Sequence, residues 1–353
     1  MKNLNINCPI NRTGYGIASL NFVKELNNHY KISLFPLGGL SVDNRSDYDL
    51  IGSLLTNNQS PDPKASTLKI WHQFDLMQRI GNGEYFAMPF FELDTFNPLE
   101  KIHLSCPDCL FVSSQWAKDV IENNKITTRT EVIPLGVDRS IFNNEKISKS
   151  RKDDKYVFLN IGKWEIRKGH DILLELFNKA FPSEMDVELW ILASETTNSY
   201  SSAEEISKWK NMYSSSRIKL FSGVNSHSEI AYLIAESDCG LYPSRAEGWN
   251  MELLETMSMN KPAIATNYSA HTDFCNKNNS FLIDITDTEP TFDGKAFQKQ
   301  GNWAKITHKE KDQIIEYMRH CYKNRIVTNT HGIETAKQFS WKNSVDKIMG
   351  YIS

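Results

Sequence analysis

Long apolar runs are missing from this chain. No segment approaches the ~18 apolar residues of a membrane span, and the opening Met1-Lys2-Asn3-Leu4-Asn5-Ile6-Asn7 carries no secretory apolar core. Both absences point to a cytoplasmic protein without a membrane span. An excess of one charge is missing too. Forty Lys+Arg against 43 Asp+Glu leave a formal net charge of -3, so no whole-molecule basic field draws in nucleic acid, although a local basic groove stays open. Cysteine is sparse and scattered, at Cys8, Cys106, Cys109, Cys239, Cys275 and Cys321, which fits reduced thiols and excludes a disulfide scaffold. Cys106-Pro107-Asp108-Cys109 has redox spacing. It lacks a second pair for zinc and a thioredoxin-like strand–helix context, so it reads as two ordinary thiols near a helix start. Repeats of 20–50 residues and low-complexity tracts are also absent.

What remains is an ordinary globular composition over 353 residues, which at roughly 150 residues per domain suggests two domains. Strand-like apolar runs alternate with longer segments of helical period, the pattern of an α/β protein with parallel sheets. Strands are expected at Leu4–Ile6, Ile32–Pro36, Leu68–His72, Cys109–Val112 and Glu131–Pro134. A second series is expected at Tyr156–Ile161, Val187–Leu192, Ile218–Phe221, Cys239–Tyr242, Pro262–Thr266 and Ser280–Ile283. Helices are expected over Ile17–Leu26, Ser114–Glu122, Gly169–Ala180, Ser226–Glu236, Glu252–Met259 and Thr307–Asn324. Periodicity stops in the polar stretch Asn143–Lys155, which reads as a solvated linker and less readily as a nucleic-acid patch. The expected lobes are therefore residues 1–143 and 156–333, each Rossmann-like, with residues 334–353 packing back on the first as a helix.

Two segments carry the chemistry. Tyr242-Pro243-Ser244-Arg245-Ala246-Glu247-Gly248-Trp249-Asn250-Met251-Glu252-Leu253-Leu254-Glu255 follows a strand, turns, and opens a helix whose first N–H groups lack intrahelical partners. Such a helix start suits an anion. Glu247 and Glu255, eight residues apart, could hold opposite ends of a ligand whose diphosphate lies between them. A pair of surface glutamates favouring the helix dipole would look the same in isolation. The second segment, Asn160-Ile161-Gly162-Lys163-Trp164-Glu165-Ile166-Arg167-Lys168-Gly169-His170, is again strand, turn and helix. It places Lys163 and Lys168 around the end of a strand, where α/β sheets put ligands and where lysines can neutralise phosphate.

With these motifs in hand, the chain resembles a retaining GT-B glycosyltransferase of the family 4 type, the glycosyl transferases group 1. The likeness rests on the Glu-x7-Glu motif at Glu247 and Glu255 with "FLNIG" and "KWEIRKG" before it. It extends through "FVSSQWAKDVI" (Phe111–Ile121), "VIPLGVDRSIF" (Val132–Phe142), "SEIAYLIAESDCGLYPS" (Ser228–Ser244) and "KPAIATNYSAHTDF" (Lys261–Phe274). It spans most of Phe111–Ile283 and thins before Phe111.

The resemblance implies a GT-B fold of two Rossmann-like lobes with a donor cleft between them. It implies transfer of a sugar from a UDP- or GDP-sugar to an acceptor hydroxyl, such as one on a glycan. Lys163, where arginine is usual, and Lys168 would hold the diphosphate, Glu247 the transferred sugar and Glu255 the ribose. Asn250, Met251, Glu252 and Leu253 would offer backbone N–H groups to the phosphates. The usual pattern has glycine at Asn250 and proline at Glu252, and both departures keep or add an N–H. Gly14 and Gly16, in Arg12-Thr13-Gly14-Tyr15-Gly16-Ile17, match a glycine-rich loop abutting donor phosphate and acceptor. A plain loop-to-helix turn has the same glycines.

His72 falls where the family often has a histidine near the transferred sugar, and histidine at a strand end is as readily structural. Glu92, in Phe91-Glu92-Leu93-Asp94, matches a stretch that faces the acceptor in one subgroup, or belongs to a polar loop. The loop Gly223-Val224-Asn225 would meet the base. No Asp-x-Asp triplet lies near either phosphate segment, so metal independence is expected and no cofactor beyond the donor. Small phage-type members offer an alternative acceptor, a hydroxymethylated base in DNA, with Lys146, Lys149, Arg151 and Lys152 as phosphate contacts. A further alternative is a nucleotide-sugar-binding protein without transfer.

Overall fold

The computed structural model describes residues 1–56, 61–194, 202–224 and 226–352. Asn225, expected at the base, and Ser353 lie outside the described residues. The chain forms two compact units, Met1–Gly136 with Phe339–Ser353, and Val137–Gln338.

The first unit runs β1 (Lys2–Cys8), α1 (Gly14–Leu26), β2 (Tyr30–Pro36), α2 (Arg45–Thr56), β3 (Ser66–Ile70), β4 (Tyr85–Met88), α3 (Pro98–Leu104), β5 (Cys109–Val112), α4 (Gln115–Asn123) and β6 (Arg129–Val132). Its six strands pair in parallel in the order β2-β1-β3-β4-β5-β6. β3, β4 and β5 are buried throughout, as parallel strands covered on both faces must be.

The second unit runs β7 (Tyr156–Lys163), α5 (His170–Ala180), β8 (Val187–Ser194), α6 (Ala203–Met212), β9 (Ile218–Phe221), α7 (His227–Glu236), β10 (Cys239–Tyr242), α8 (Met251–Ser258), β11 (Ala263–Thr266), β12 (Phe281–Ile283), β13 (Thr288–Phe292), β14 (Gln298–Ala304), α9 (His308–Lys323) and α10 (Thr330–Gln338). Six strands again pair in parallel, in the order β12-β11-β10-β7-β8-β9, while β13 and β14 form an antiparallel ribbon. Its core joins Phe158, Leu173, Leu176, Phe177, Leu189 and Ile191. Chain order reverses between β1 and β3 in one sheet and between β7 and β10 in the other. Loops leaving the carboxyl ends of those strands diverge and leave a crevice there. The fold is the expected α/β one.

Two expectations about the connections change. Residues 143–155 are largely solvated, as expected, but they lie within the second unit and are tied to it rather than linking the units. Lys149 Nζ lies 2.7 Å and Arg151 Nη2 2.9 Å from the buried carboxylate of Asp238, and Glu236 accepts from the Ser150 and Arg151 backbone. The charges there complement acidic groups at and just past the end of α7, a match invisible along the chain. The C-terminal segment, expected as one helix over 334–353, is two. α10 ends at Gln338, and Ser340 caps α11 (Trp341–Met349), accepting from Asn343 N. Only α11 belongs to the first unit, where Trp341 meets Phe22 edge-on at 5.2 Å and Ser344 Oγ donates to Pro134 O. A Cβ on Gly136 would come within 2.2 Å of Trp341 N, so that close approach requires glycine.

Cys106 is exposed after α3, and Cys109 is buried in β5, its thiol pushed up to about 11 chiefly by burial. The pair therefore lies past a helix end rather than near a helix start. Among the described residues no helix is long and apolar enough to cross a membrane.

Candidate functional site

In the second unit, the two chemistry-bearing segments are the loops that leave β7 and β10, side by side at the strand-order reversal. Gly169 has φ +83°, and a Cβ there would meet Pro243 O at 2.7 Å. Glycine thus lets the first loop cross the second closely before α5 begins. The Lys168 stem lies over Gly162, where a Cβ would sit 3.2 Å from it.

These loops bring Lys168 and Glu247 together. Lys168 Nζ is 2.9 Å from Glu247 Oε1 and 4.0 Å from Glu252, with 9% of its side chain exposed. Arg167, which sequence reasoning passed over, completes the arrangement: Nη1 donates to Glu247 Oε2 at 2.8 Å and to Ala246 O, and Nη2 to Glu165 at 2.7 Å. Burial alone would raise the Glu247 carboxyl, but Lys168 and Arg167 beside it hold it down at about 2. Lys168 is also buried, which opposes its charge, yet Glu247 and Glu252 raise its pKa on balance. Its cation and the Glu247 carboxylate are both retained at neutral pH. The Glu247 backbone N–H donates to Ser269 Oγ at 2.8 Å, anchoring the main chain that carries the carboxylate.

Arg245 ties the loops to each other. Its guanidinium takes both oxygens of Asp171 at 2.8 Å, its N–H donates to Arg167 O, and Ala304 N of β14 donates to Arg245 O. The β13–β14 ribbon, which periodicity did not reveal, braces this corner.

Asn250 is the N-cap of α8 in the left-handed region, φ 78° and ψ 75°. This explains glycine's place in the usual pattern and why asparagine, which tolerates that region, can replace it. Its Oδ1 accepts from Leu253 N at 3.2 Å, so the Leu253 N–H is engaged by the cap and is not an open phosphate donor. Its Nδ2 donates to Nε2 of the buried His271, whose Nδ1 bonds Thr266 O. Burial lowers the His271 pKa, consistent with a neutral ring between these partners. Met251 and Glu252 open the helix, half-buried. Glu255 is buried deeper in α8; burial first, then Glu252 and Asp138, push its pKa well up. Lys163 ends β7 exposed. Val224 lines an open pocket of about 520 Å³ with Trp190, Phe221 and Tyr232.

In the first unit, Gly14 starts α1 behind the Thr13 cap. Gly16 is buried, and a Cβ there would come within 2.4 Å of the Asn11 backbone, so its lack of a side chain admits the chain's own loop. His72, in the loop after β3, stacks on Phe74 (4.9 Å, 8°) and meets Tyr15 at 4.5 Å and Trp71 at 4.8 Å. Glu92 is half-buried in the loop after β4, close enough for its charge to raise Tyr15, whose pKa burial raises first. Among the described residues, no group of three or more His, Cys, Asp or Glu could hold a metal ion.

Residues 155–294, all within the second unit, match the family model of glycosyl transferases group 1. No curated protein matches the chain. Among solved structures, the chain is similar to sucrose-phosphate synthase from Thermosynechococcus elongatus, at TM-score 0.71 and 12% identity over 99% of this chain and 98% of that one. Anabaena HepE in complex with UDP-glucose follows at 0.68 and 13%, over 99% and 98%. A trehalose-6-phosphate synthase studied for glycosyl transfer with retention follows at 0.68 and 10%, over 99% and 98%. Such identities speak for the fold. The chain has the GT-B fold, and residues 155–294 of its second unit match the glycosyl transferases group 1 model.

Proposed function

We propose that the protein transfers a sugar from a UDP- or GDP-sugar to a hydroxyl of a glycan acceptor, with retention at the anomeric carbon and without a metal. The observation that carries this reading is the buried Arg167–Glu247–Lys168 arrangement at the crevice between β7 and β10, within the group 1 domain. Anabaena HepE, of the same fold, was solved with UDP-glucose, which makes that the first donor to test.

As the bond between sugar and diphosphate breaks, negative charge grows on the leaving oxygen. Lys168 and the backbone N–H groups of Asn250, Met251 and Glu252 supply compensating charge from held positions, which lowers the barrier with little solvent reorganisation, and the exposed Lys163 adds charge from the end of β7. Glu247, ionised and immobilised by its two cations, accepts from the sugar's hydroxyls. Glu255 accepts from the ribose, and Val224 borders the base. The acceptor hydroxyl then attacks from the face the diphosphate leaves, and its proton passes to the departing diphosphate oxygen. Of the four residues considered for DNA phosphates, Lys149 and Arg151 are spent on Asp238, and Lys146 Nζ donates to Ser140 O. This weighs against a DNA acceptor.

A proton NMR time course with UDP- and GDP-hexoses, in EDTA and with a glycan panel, tests the reading. The first product formed should carry the donor's anomeric configuration. An inverted product would overturn the mechanism, and turnover only after Mg²⁺ addition would overturn metal independence. Donor binding with no turnover, even to water, would leave a binding protein.

A further inference from the structure

The loop from Glu247 to Asn250 leads into α8 without a strand ladder of its own. One short segment of the second unit holds it instead, the helical turn Ser269–Asp273 after β11. Ser269 Oγ accepts the Glu247 N–H at 2.8 Å, and Ala270 N–H donates to Glu247 O at 3.3 Å, so both main-chain polar groups of Glu247 are gripped. The next residue, His271, reaches Asn250 at the cap of α8. Thr266, which ends β11, ties the turn back to the same loop, its hydroxyl donating to Ser244 O at 2.7 Å. Ser269 has φ +52° and Asn250 φ +78°, left-handed backbone that neither residue adopts without cost. Strain at both ends of one grip marks a geometry that the fold fixes.

The hydrogen bonds of His271 have a fixed direction. Its ring is fully buried. Nδ1 lies 2.9 Å from Thr266 O, which can only accept, and 3.3 Å from Thr266 Oγ1, whose own proton goes to Ser244 O. Nδ1 therefore carries the ring proton, and Nε2 presents a lone pair. At 2.9 Å from Asn250, that lone pair takes an N–H of the amide. The amide is thereby oriented: Oδ1 turns to the Leu253 N–H, which it caps at 3.2 Å, while the N–H groups of Met251 and Glu252 open the helix with no carbonyl a turn before them. A flipped amide would set N–H against N–H at Leu253 and undo the cap. We propose that His271 is a positioning residue for the donor diphosphate: as the Nδ1–H tautomer it orients Asn250, and through Asn250 the first turn of α8. This rests on the glycosyl-transfer reading and adds to it a residue that acts through the cap.

Protonation reverses the relay. With hydrogens on both ring nitrogens, Nε2 requires an acceptor, the Asn250 amide turns to supply Oδ1, and the Leu253 N–H loses its cap. Burial holds the His271 pKa below its ordinary 6.5; Glu247, from the loop after β10, and Thr266 O oppose this, and Lys168 and Arg167, from the loop after β7, add to it. The neutral ring and the ordered cap are thus present at neutral pH and are lost as pH falls through the lowered value.

The test measures UDP-glucose affinity by calorimetry, with GDP-mannose as second donor, in wild type, His271→Gln and His271→Phe. Glutamine offers a carboxamide oxygen near the place of Nε2, whereas phenylalanine keeps a ring and loses the acceptor. Near neutral pH, His271→Phe should bind about threefold to tenfold more weakly and His271→Gln within about twofold of wild type, on the scale of one buried hydrogen bond. Between about pH 7.5 and about pH 5, wild-type affinity should fall more than that of His271→Gln, which has nothing to protonate there. Nitrogen-15 NMR of labelled histidine in the unliganded wild type should show Nδ1 protonated and Nε2 bare, a reading that needs no variant to fold. Wild-type affinity in His271→Phe, one pH profile for wild type and His271→Gln, or a protonated Nε2 at neutral pH would overturn the role. A bare Nε2 in a wild type that binds neither donor would instead count against the glycosyl-transfer reading.

Discussion

At the residue scale, two glutamates eight positions apart have opposite electrostatics, and pH separates them. The Glu247 pKa lies below its unfolded value, so the stability it contributes is present above about 4.5 and is lost as pH falls toward about 2. Glu255 is the reverse: its raised pKa favours the fold at low pH, and that contribution is lost as pH rises through the folded value. Acid unfolding followed by circular dichroism should therefore be shallower between pH 4.5 and 2 in Glu247→Gln than in wild type. The same variant strands Arg167 and Lys168, and at neutral pH it should lose on the order of 3 kcal/mol. Nucleotide binding that ionises Glu255 should release a proton, read by calorimetry in buffers of differing ionisation heat. Asn250 makes a third case. Asn250→Gly keeps the left-handed backbone but strands the buried His271 Nε2 and should cost about 1 kcal/mol, while Asn250→Ala also puts a Cβ in the left-handed region and should cost about 1–2 more.

At the scale of elements, the strands with long apolar runs and the helices α1, α4, α5, α7, α8 and α9 were legible, because periodicity is local, whereas α2, α3 and α6 were missed although Asn97 and Ser202 head capping boxes on the last two. The rest was not, for reasons that differ. β4 is four residues between Gly81-Asn82-Gly83 and Pro89, too short for a period to declare itself. β14 reads QKQGNWA, polar and with little strand preference, and becomes a strand only through its pairing with β13. In the site, Lys168 and Glu247 stood out by spacing. Arg167 and Arg245 looked like ordinary solvated charges because their partners lie some 75–80 residues away in sequence or on another loop. The adjacency of Arg167 to Lys168 was the available signal. Arg245→Met should unfasten the loops after β7 and β10, so nucleotide affinity should drop tenfold or more, while the far-UV circular dichroism stays as in wild type. Equal loss of both would show general unfolding.

At the scale of the whole molecule, the chain builds most of one unit, all of the second, then returns to the first with α11. That return buries Trp341, Val345 and Ile348, and the Tyr30 hydroxyl donates to Ile352 O. Three such side chains are worth roughly 5 kcal/mol to the first unit. Truncation after Gln338 should lower the first unit's calorimetric transition and leave the second unit's transition in place, still raised by nucleotide. If nucleotide protection moved with the first unit, the assignment of the donor site would be wrong.

The central claim is that the crevice between β7 and β10 binds a nucleoside diphosphate through Lys168 without a metal. Its most direct test is a thermal-shift panel of UDP, GDP, ADP and dTDP with their sugars, with and without EDTA, on wild type and Lys168→Ala, each shift read against that variant's own unliganded midpoint. A ligand at a hundred times its Kd adds about 2.7 kcal/mol to the native state. The account predicts a clear rise with UDP or GDP species, the same in EDTA and absent in Lys168→Ala. No rise with any nucleotide, or an equal rise in Lys168→Ala, would contradict it.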